Sequence, residues 1–393
     1  MNTHVDSPRL PPELLGQIID NLRYQKGALA NASLVSHTFL VLCRPHLFHS
    51  LKVPPIQPVQ KELEKLGILG ARNTNKDMRL LAESAIGVHV RDLHVELSRI
   101  LTIGLDIAVL ISFLRRMTQL EAFTISSISL NPHRIGLGEL PSDFSSAISN
   151  VFRVCPIVSV NISRVNDFPY LILSHCSLLK RVVLNSPMFL ETALALDEHL
   201  PTQDPLEVET LELSHTIRSF PFPIDVISHP HSPLVFSKLA HLKIISGTSE
   251  DHRTWQQLID SAQNSLCNFE IRVSGSNHFL MFSASSPSSI TLESCLLLRR
   301  ISIQVQWPLM APFSWLMGIL NTVYEINSIE EIVLNLGSSM VSAENWQELD
   351  SILTSPKFEC LKALFLAVPP PQLNHKMPAL IARGIVQLSH GKS

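Results

Sequence analysis

Histidine and cysteine are the residue types in this chain that could bind a metal ion or attack a substrate. The 17 histidines include two close pairs, His229 and His231 in "HPHSP" and His46 and His49 in "RPHLFH". A catalytic zinc ion needs three protein ligands and a structural zinc ion needs four. Neither pair has a third histidine or cysteine at a familiar spacing, so we predict packing or surface histidines and no metal.

The six cysteines form no CxxC pair and no disulfide framework. Five of them precede the centre of a predicted strand by four to six residues, which is typical of small buried residues at helix ends rather than of nucleophiles: Cys155, Cys176, Cys267, Cys295 and Cys360. The start, "MNTHVDSPR", has no apolar leader. We therefore expect a reducing compartment, the cytoplasm or the nucleus.

Two short motifs resemble parts of nucleotide-binding loops. "HGKS" ends the chain, but Val386 stands where a phosphate-binding loop needs its first glycine, and no residues follow to form the helix. "GLGEL" has two glycines of a dinucleotide fingerprint without the third, and no GxSxG elbow is present. The sequence thus predicts no catalytic residue, no cofactor and no enzymatic activity.

The composition excludes several kinds of partner. Of 393 residues, 45% are hydrophobic and 17% are charged, with a formal net charge of -3. A chain without a basic excess has no field to hold nucleic acid or an anionic membrane. The uncharged stretch from Trp307 to Tyr324 contains Pro308 and Pro312, so we interpret it as buried core rather than as a membrane span.

The most regular helical pattern lies close to the N-terminus, in "LPPELLGQIIDNL". Prolines suit the first turn of a helix, and a glutamate there suits the helix dipole. Three- and four-residue spacing then gives one apolar stripe of Leu14, Leu15, Ile18, Ile19 and Leu22. A second helix is predicted over 28–35 and a third after a Ser36 cap. So short a module has a small core, so part of its apolar surface is expected to bind a partner.

This segment resembles an F-box, the helical module that docks on the Skp adaptor of SCF-type cullin–RING ubiquitin ligases. The resemblance covers about forty residues, and it implies an adaptor-binding surface of Leu10, Pro11, Pro12, Glu13, Leu14, Ile18, Leu22, Leu34 and Val35. Phe39 stands where many members have tryptophan, and His37 where arginine or lysine is common. The alternative is a helical cap that covers the end of the following domain.

Beyond the proline-rich segment "VPPIQPVQ", the chain repeats the form apolar-x-x-apolar-x-apolar. Connecting helices are predicted over 61–69 and 77–86. We therefore predict a helical module over residues 1–52, a linker over 53–88 and a repeat domain over 89–393. Ten units follow one another, and their central apolar residues, mostly about 30 positions apart, are Leu93, Phe123, Val160, Val182, Leu211, Leu242, Ile271, Ile301, Ile332 and Leu364.

Each unit ends in the alternation of a half-buried strand, and most gaps hold a helical pattern, such as 106–117, 142–154, 254–265 and 346–353. Such units cannot bury their faces alone, so they should stack with a parallel sheet on the concave side. The predicted fold is α/β, and the domain resembles an irregular leucine-rich-repeat solenoid. The proline-rich region 214–233 fits the pattern poorly. A doubly wound α/β enzyme is the alternative.

In such an array the residue between the last two apolar positions of each strand points to the concave face. That rule predicts a row of His94, Thr124, Asn161, Val183, Glu212, Lys243, Arg272, Ser302, Val333 and Phe365. Strands lie about 4.8 Å apart, so Glu212, Lys243 and Arg272 should form a charge cluster. We predict that these three and Phe365 bind a protein substrate; an ordinary solvated face is the alternative.

Together these features predict a non-catalytic substrate-recognition subunit of an SCF-type ubiquitin ligase. The resemblance implies the Skp adaptor, and through it a cullin, as partners of the helical module. The repeat domain would bind the substrate protein. A scaffold protein whose F-box no longer binds its adaptor is the second hypothesis.

Overall fold

The computed structural model describes residues 10–53, 85–97, 105–127, 140–185, 205–215, 227, 232–246, 252–274, 290–306, 313–336, 345–370 and 372–388. The chain forms two compact units, residues 1–157 and residues 158–393. The predicted connecting helices lie outside the described residues, apart from a short 3-10 helix at Ala85–His89. Among the described residues, no helix is long and apolar enough to cross a membrane.

The first unit begins with three helices and continues with parallel strands and two further helices. Its elements are α1 (Pro12–Asn21), α2 (Lys26–Ser33), α3 (His37–Leu47), β1 (Ser50–Val53), β2 (Asp92–Leu97), α4 (Leu105–Leu114), β3 (Ala122–Ser127) and α5 (Ser142–Val154). The predicted N-terminal helices are therefore confirmed, and α2 begins two residues earlier than expected.

The starts of these helices follow from their sequences. Proline occupies the first turn of α1, where a missing N–H costs nothing, and Glu13 lies in the same turn. At the start of α3 the Ser36 hydroxyl accepts a hydrogen bond from the Phe39 N–H at 3.3 Å, which confirms the predicted cap. Pro45 lies inside α3 rather than ending it.

The three helices enclose a small core of their own, which we call the head core. Ile19, Leu29 and Cys43 are buried at its centre. The side chains packed around them are partly buried, namely Leu22, Ala32, Phe39, Leu42 and Leu47. The helical module therefore has one buried residue from each helix, which is little for a free-standing domain.

The helical module continues directly into the sheet of the first unit. β1 pairs in parallel with β2, so that Ser50 lies opposite Asp92, and β2 pairs in parallel with β3. Lys52 on β1 forms an ion pair with Glu96 on β2. Helix α5 packs on β3 through an edge-to-face contact of Phe152 with Phe123, whose ring centres are 5.3 Å apart.

The second unit alternates strands with helices and turns. Its strands are β4 (Ser159–Ser163), β5 (Arg181–Asn185), β6 (Leu206–Glu207), β7 (Thr210–His215), β8 (Leu234–Val235), β9 (His241–Ser246), β10 (Asn268–Ser274), β11 (Arg300–Gln306), β12 (Glu331–Leu336), β13 (Ala363–Leu366) and β14 (Val386–Leu388). Its helices are α6 (His252–Ser261), α7 (Phe313–Thr322), α8 (Trp346–Thr354), α9 (Leu373–Lys376) and α10 (Pro378–Ala382), with 3-10 turns at Tyr170–His175 and Pro356–Phe358.

The strands of the second unit pair in parallel and in chain order, β4-β5-β7-β9-β10-β11-β12-β13-β14, while β6 and β8 form a separate short ladder. Alternate side chains of the longer strands are buried, and the helices bury residues such as Trp255 and Trp346. Parallel strands with helices between them confirm the predicted α/β class. All ten predicted strand units are strands, and the four helical gaps contain α4, α5, α6 and α8.

The register of β10 differs from the prediction by two residues. Phe269, not Ile271, lies opposite Leu242 on β9 and opposite Ile301 on β11. Phe269, Ile271 and Val273 alternate, so either Phe269 or Ile271 can be the central apolar residue of this repeat. The prediction uses Ile271. Leu266, fully buried three residues before Phe269, selects Phe269.

Side chains also tie successive turns of the second unit to one another. The Gln256 side chain on α6 accepts from the Thr291 N–H at 2.8 Å and donates to the Thr291 carbonyl oxygen at 3.2 Å. At the C-terminal end, the buried Asp350 carboxylate on α8 accepts from the first two N–H groups of α10 after its proline, at 3.0 and 2.9 Å. Arg383 donates to four backbone carbonyls, those of Leu353, Phe358, Glu359 and Leu361.

Candidate functional site

The surface of the helical module carries large apolar side chains that its own core does not use. Leu34 and Val35, in the turn between α2 and α3, have 85% and 71% of their surface exposed. Leu14 and Ile18 on α1 and Leu10 before it are also exposed. Several large exposed apolar side chains on so small a module are typical of a protein-docking surface.

Helix α1 divides its apolar stripe between two environments. Ile19 is buried in the head core and Leu22 packs against it. Leu14 and Ile18 are one helical turn apart, on the same side of α1, and remain exposed. Leu22 was predicted to contact the adaptor; the structure places its side chain against the head core. We call the exposed set Leu10, Leu14, Ile18, Leu34 and Val35 the head surface.

Polar contacts hold the helices that carry the head surface. The His46 Nε2 atom on α3 lies 3.1 Å from a carboxylate oxygen of Asp20 on α1. Pro11 and Glu13, both predicted to bind the adaptor, are exposed at the start of α1, where Pro11 is the N-cap residue. Pro12 is the first residue of the helix. The head surface offers contact area and no reactive group.

The second candidate surface is the open face of the sheet in the second unit. Its central row is defined by the strand register, and it consists of Asn161, Val183, Glu212, Lys243, Glu270, Ser302, Val333 and Phe365. Apart from Ser302, which is buried, these side chains are partly exposed. The predicted row is confirmed in the second unit at every strand except β10, where Glu270 replaces Arg272.

A ladder of charges crosses this row. The Lys243 ammonium lies 3.4 Å from Glu212 and 3.8 Å from Glu270, and the Arg181 guanidinium lies 3.9 Å from Glu212. The predicted cluster thus contains Glu270 as the second acid beside Lys243. Sequence reasoning missed this residue because it set the register of β10 two residues late, and the buried Leu266 was the available signal.

Arg272 lies one step further along the strands than the predicted cluster. It pairs in register with Ile245 on β9 and with Gln304 on β11, so it does not neighbour Lys243. The Gln304 amide donates to Glu270 at 3.3 Å. At the C-terminal end of the central row, Val333 and Phe365 lie side by side on β12 and β13 and form an apolar end.

In the first unit, the predicted row includes a histidine on β2 that lies in a polar cluster. His94 and Thr124 are opposite each other on β2 and β3, as predicted. The His94 Nε2 atom lies 2.9 Å from the Ser126 hydroxyl oxygen. Burial lowers the pKa of His94 and Lys52 lowers it further, while Glu96 and Asp92 act in the opposite direction. The neutral imidazole is therefore favoured in the folded protein.

Four of the described cysteines are buried, namely Cys43, Cys155, Cys176 and Cys295. Burial raises the pKa of Cys43 and Cys155, and it raises the pKa of Cys295 to about 11. Cys360 is exposed. Within the described ranges, no group of three or more His, Cys, Asp or Glu side chains could hold a metal ion. His229 and His231 lie outside the described residues.

The chain matches no known protein-family profile and no curated protein. Its function is therefore inferred from the two surfaces themselves. The head surface presents exposed apolar side chains, and the open face combines apolar side chains with paired charges. Both arrangements can bind other proteins.

Proposed function

We propose that this protein is the substrate-recognition subunit of an SCF-type cullin–RING ubiquitin ligase, working in the cytoplasm or nucleus. The helical module over residues 1–52 acts as an F-box that docks on the Skp adaptor, and the adaptor connects it to the cullin. The repeat domain over residues 89–393 binds a protein substrate. The chain itself catalyses no reaction, because ubiquitin transfer belongs to other subunits.

The division of α1 into a buried and an exposed side carries the proposal. Ile19 holds α1 to its own module, while Leu14 and Ile18 are left on the opposite side of the stripe. A helix whose only task is to cap a domain would bury both. The exposed Leu34 and Val35, in the segment that resembles an F-box most closely, extend the apolar area available to a partner.

The strand order supports the proposed leucine-rich-repeat-like solenoid. Nine described strands of the second unit follow one another in chain order, and none of these nine is inserted between two earlier ones. A doubly wound enzyme fold instead reverses its strand order at the point where the ligand binds. Successive stacking is the topology of repeat proteins, which commonly bind partners on their extended sheet face.

The adaptor half of the proposal is tested by charge substitution on the head surface. Leu14→Asp combined with Ile18→Asp places two unpaired carboxylates in the proposed apolar contact, where each costs several kcal/mol of binding free energy. We expect the double variant to lose detectable binding to the purified Skp adaptor in calorimetric titration. Val154→Asp, at an exposed position on α5, is the matched control and should bind like the wild type.

The outcomes separate the hypotheses. Wild-type binding that the double variant retains would refute docking through α1. No wild-type binding at all would favour the second hypothesis, a scaffold with an F-box that no longer functions. Loss of helical circular dichroism in the double variant, but not in the control, would favour the cap.

The substrate half is tested on the central row and beside it. Lys243→Glu places a third acid between Glu212 and Glu270, and Arg272→Glu reverses the next charge along the sheet. We expect this pair of changes to weaken binding of a captured substrate while adaptor affinity stays unchanged. The matched control is Gln257→Glu, at an exposed position on α6. If the control weakens substrate binding and the pair does not, the open face is not the substrate surface.

A further inference from the structure

Two turns at the N-terminal ends of neighbouring strands expose large apolar side chains. Leu296 and Leu297 lie in the turn before β11, and Tyr324 and Ile326 lie in the turn before β12. All four are exposed, and Ile326 has 80% of its surface accessible. We call these four residues the turn patch. It lies on the turns and not on the open face.

Backbone contacts hold the two turns side by side. The Leu292 N–H donates to the Thr322 hydroxyl at 3.0 Å, and the Glu330 N–H donates to the Arg299 carbonyl at 2.8 Å. The four apolar residues lie between these two tie points, in the turns before two strands that pair in parallel. The turn patch is thus supported at both ends and is preorganised for binding, because little freedom remains to be lost.

Ion pairs join the N-terminal ends of several neighbouring strands. Lys180 contacts Glu209 at 2.7 Å before β5 and β7, and Arg300 contacts Glu331 at 3.2 Å at the start of β11 and β12. At the turn patch, exposed apolar side chains lie beside such an ion pair. A preorganised apolar cluster with a polar surround is typical of an interaction site.

Acidic side chains flank the turn patch. Glu293 and Glu325 are exposed within the same two turns. Both act electrostatically on Lys357, where they raise the pKa that burial lowers. The Lys357 ammonium donates to the Asn321 carbonyl oxygen at 2.7 Å. In the described part of the chain neither glutamate forms an ion pair within 4 Å, so both carboxylates are available to a cationic partner.

We propose that the turn patch docks an amphipathic segment of another protein whose apolar side chains are flanked by lysine or arginine. The apolar side chains cover Leu296, Leu297, Tyr324 and Ile326, and the cations pair with Glu293 and Glu325. A second copy of this chain fits less well, because a two-fold contact through the patch brings equal sets of glutamates together. This proposal does not rest on the F-box assignment.

The test uses two labelled synthetic peptides with the same leucine face, one with lysine and one with glutamate on the polar face. Fluorescence anisotropy with the full chain measures both affinities. Exposed ion pairs contribute modestly to affinity, so two pairs should make the lysine peptide bind roughly tenfold more tightly. Leu297→Ser with Ile326→Ser should weaken it at least about tenfold, because central apolar contacts dominate docking.

Leu178→Ser is the matched control, since Leu178 is an exposed leucine in the turn before β5. It should leave both affinities unchanged. Glu293→Lys with Glu325→Lys alters only exposed side chains, so it should fold normally and reverse the preference between the peptides. That reversal tests the proposed pairing of the peptide cations with Glu293 and Glu325 even if the serine variant is destabilised.

Equal affinity for the two peptides would overturn the proposal, as would an unchanged preference in the lysine double variant. Sedimentation equilibrium tests whether the chain associates with itself through the turn patch. A concentration-dependent dimer of the wild type that the serine variant lacks would assign the turn patch to a second copy of the chain and overturn the proposed partner.

Discussion

Truncation of Leu34 and Val35 tests the head surface without disturbing the fold. Their exposed fractions are 85% and 71%, so the free protein gains almost nothing from these side chains. Leu34 is the C-cap residue of α2, but its cap hydrogen bonds are made by the backbone, which alanine retains. Changes of exposed side chains usually shift stability by less than about 0.5 kcal/mol. Leu34→Ala with Val35→Ala should therefore leave the free energy of unfolding unchanged within that limit.

The effect on docking follows from the carbon atoms removed. Leu→Ala removes three carbons and Val→Ala removes two, each worth about 0.8 kcal/mol when taken out of water. We multiply each value by the exposed fraction of the side chain. The expected loss of docking free energy is then about 2 kcal/mol for Leu34→Ala and about 1 kcal/mol for Val35→Ala. The sum, about 3 kcal/mol, corresponds to roughly a hundredfold increase in the adaptor Kd.

The measurement is a calorimetric titration of the purified Skp adaptor into each variant, beside urea unfolding of the free proteins. Val154→Ala, a truncation at an exposed position on α5, is the control and should change neither quantity. An increase in Kd of less than about threefold, under 1 kcal/mol, would refute docking through this turn. A loss of stability near 3 kcal/mol would show instead that the two side chains support the fold.

Three further outcomes are expected. Asp350→Ala removes the buried acceptor for two N–H groups of α10, so it should lower the free energy of unfolding by about 1–2 kcal/mol in urea titration. The control Glu348→Ala, on the exposed side of α8, should not have this effect. Because the folded protein lowers the pKa of His94, the unfolded chain takes up that proton first as pH falls, and stability should decline as the pH falls through and below the ordinary histidine pKa of about 6.5. A decline equally steep in His94→Gln would contradict this. A thiol reagent should modify exposed Cys360 well before Cys295, whose pKa is raised to about 11, and mass spectrometry showing the reverse order would contradict the burial assignments.

The sequence was sufficient to locate the long strands because each contributes three apolar residues at fixed spacing. It was insufficient for β1 and β14, which are short and only partly buried, so that their side chains show no clear alternation. In β10 the alternating residues Phe269, Ile271 and Val273 allow two frames for the last two apolar positions of the repeat. The first apolar position decides between them, because the earlier frame has Leu266 there and the later frame has Asn268. Leu266 is buried, in agreement with the earlier frame.

The head surface shows a different limit. Periodicity places Ile18 and Ile19 in one stripe, because adjacent residues on a helix differ by about a quarter turn. Which of them faces the module's own core depends on where α2 and α3 pack, and that is tertiary information. The sequence could therefore name the stripe but could not assign Leu22 to the core and Leu14 to the surface.

The pairing of β1 with β2 determines where this chain can be cut. A truncation that begins after residue 53 removes the helical module, but it also removes the strand that covers one side of β2. The N–H and C=O groups of β2 would then form an open edge, a template for pairing with other chains. Insolubility of such a fragment would reflect the lost strand and would say nothing about the helices. A cut between residues 53 and 85 avoids the problem, because β1 and its hydrogen bonds keep the two pieces together after the chain is broken.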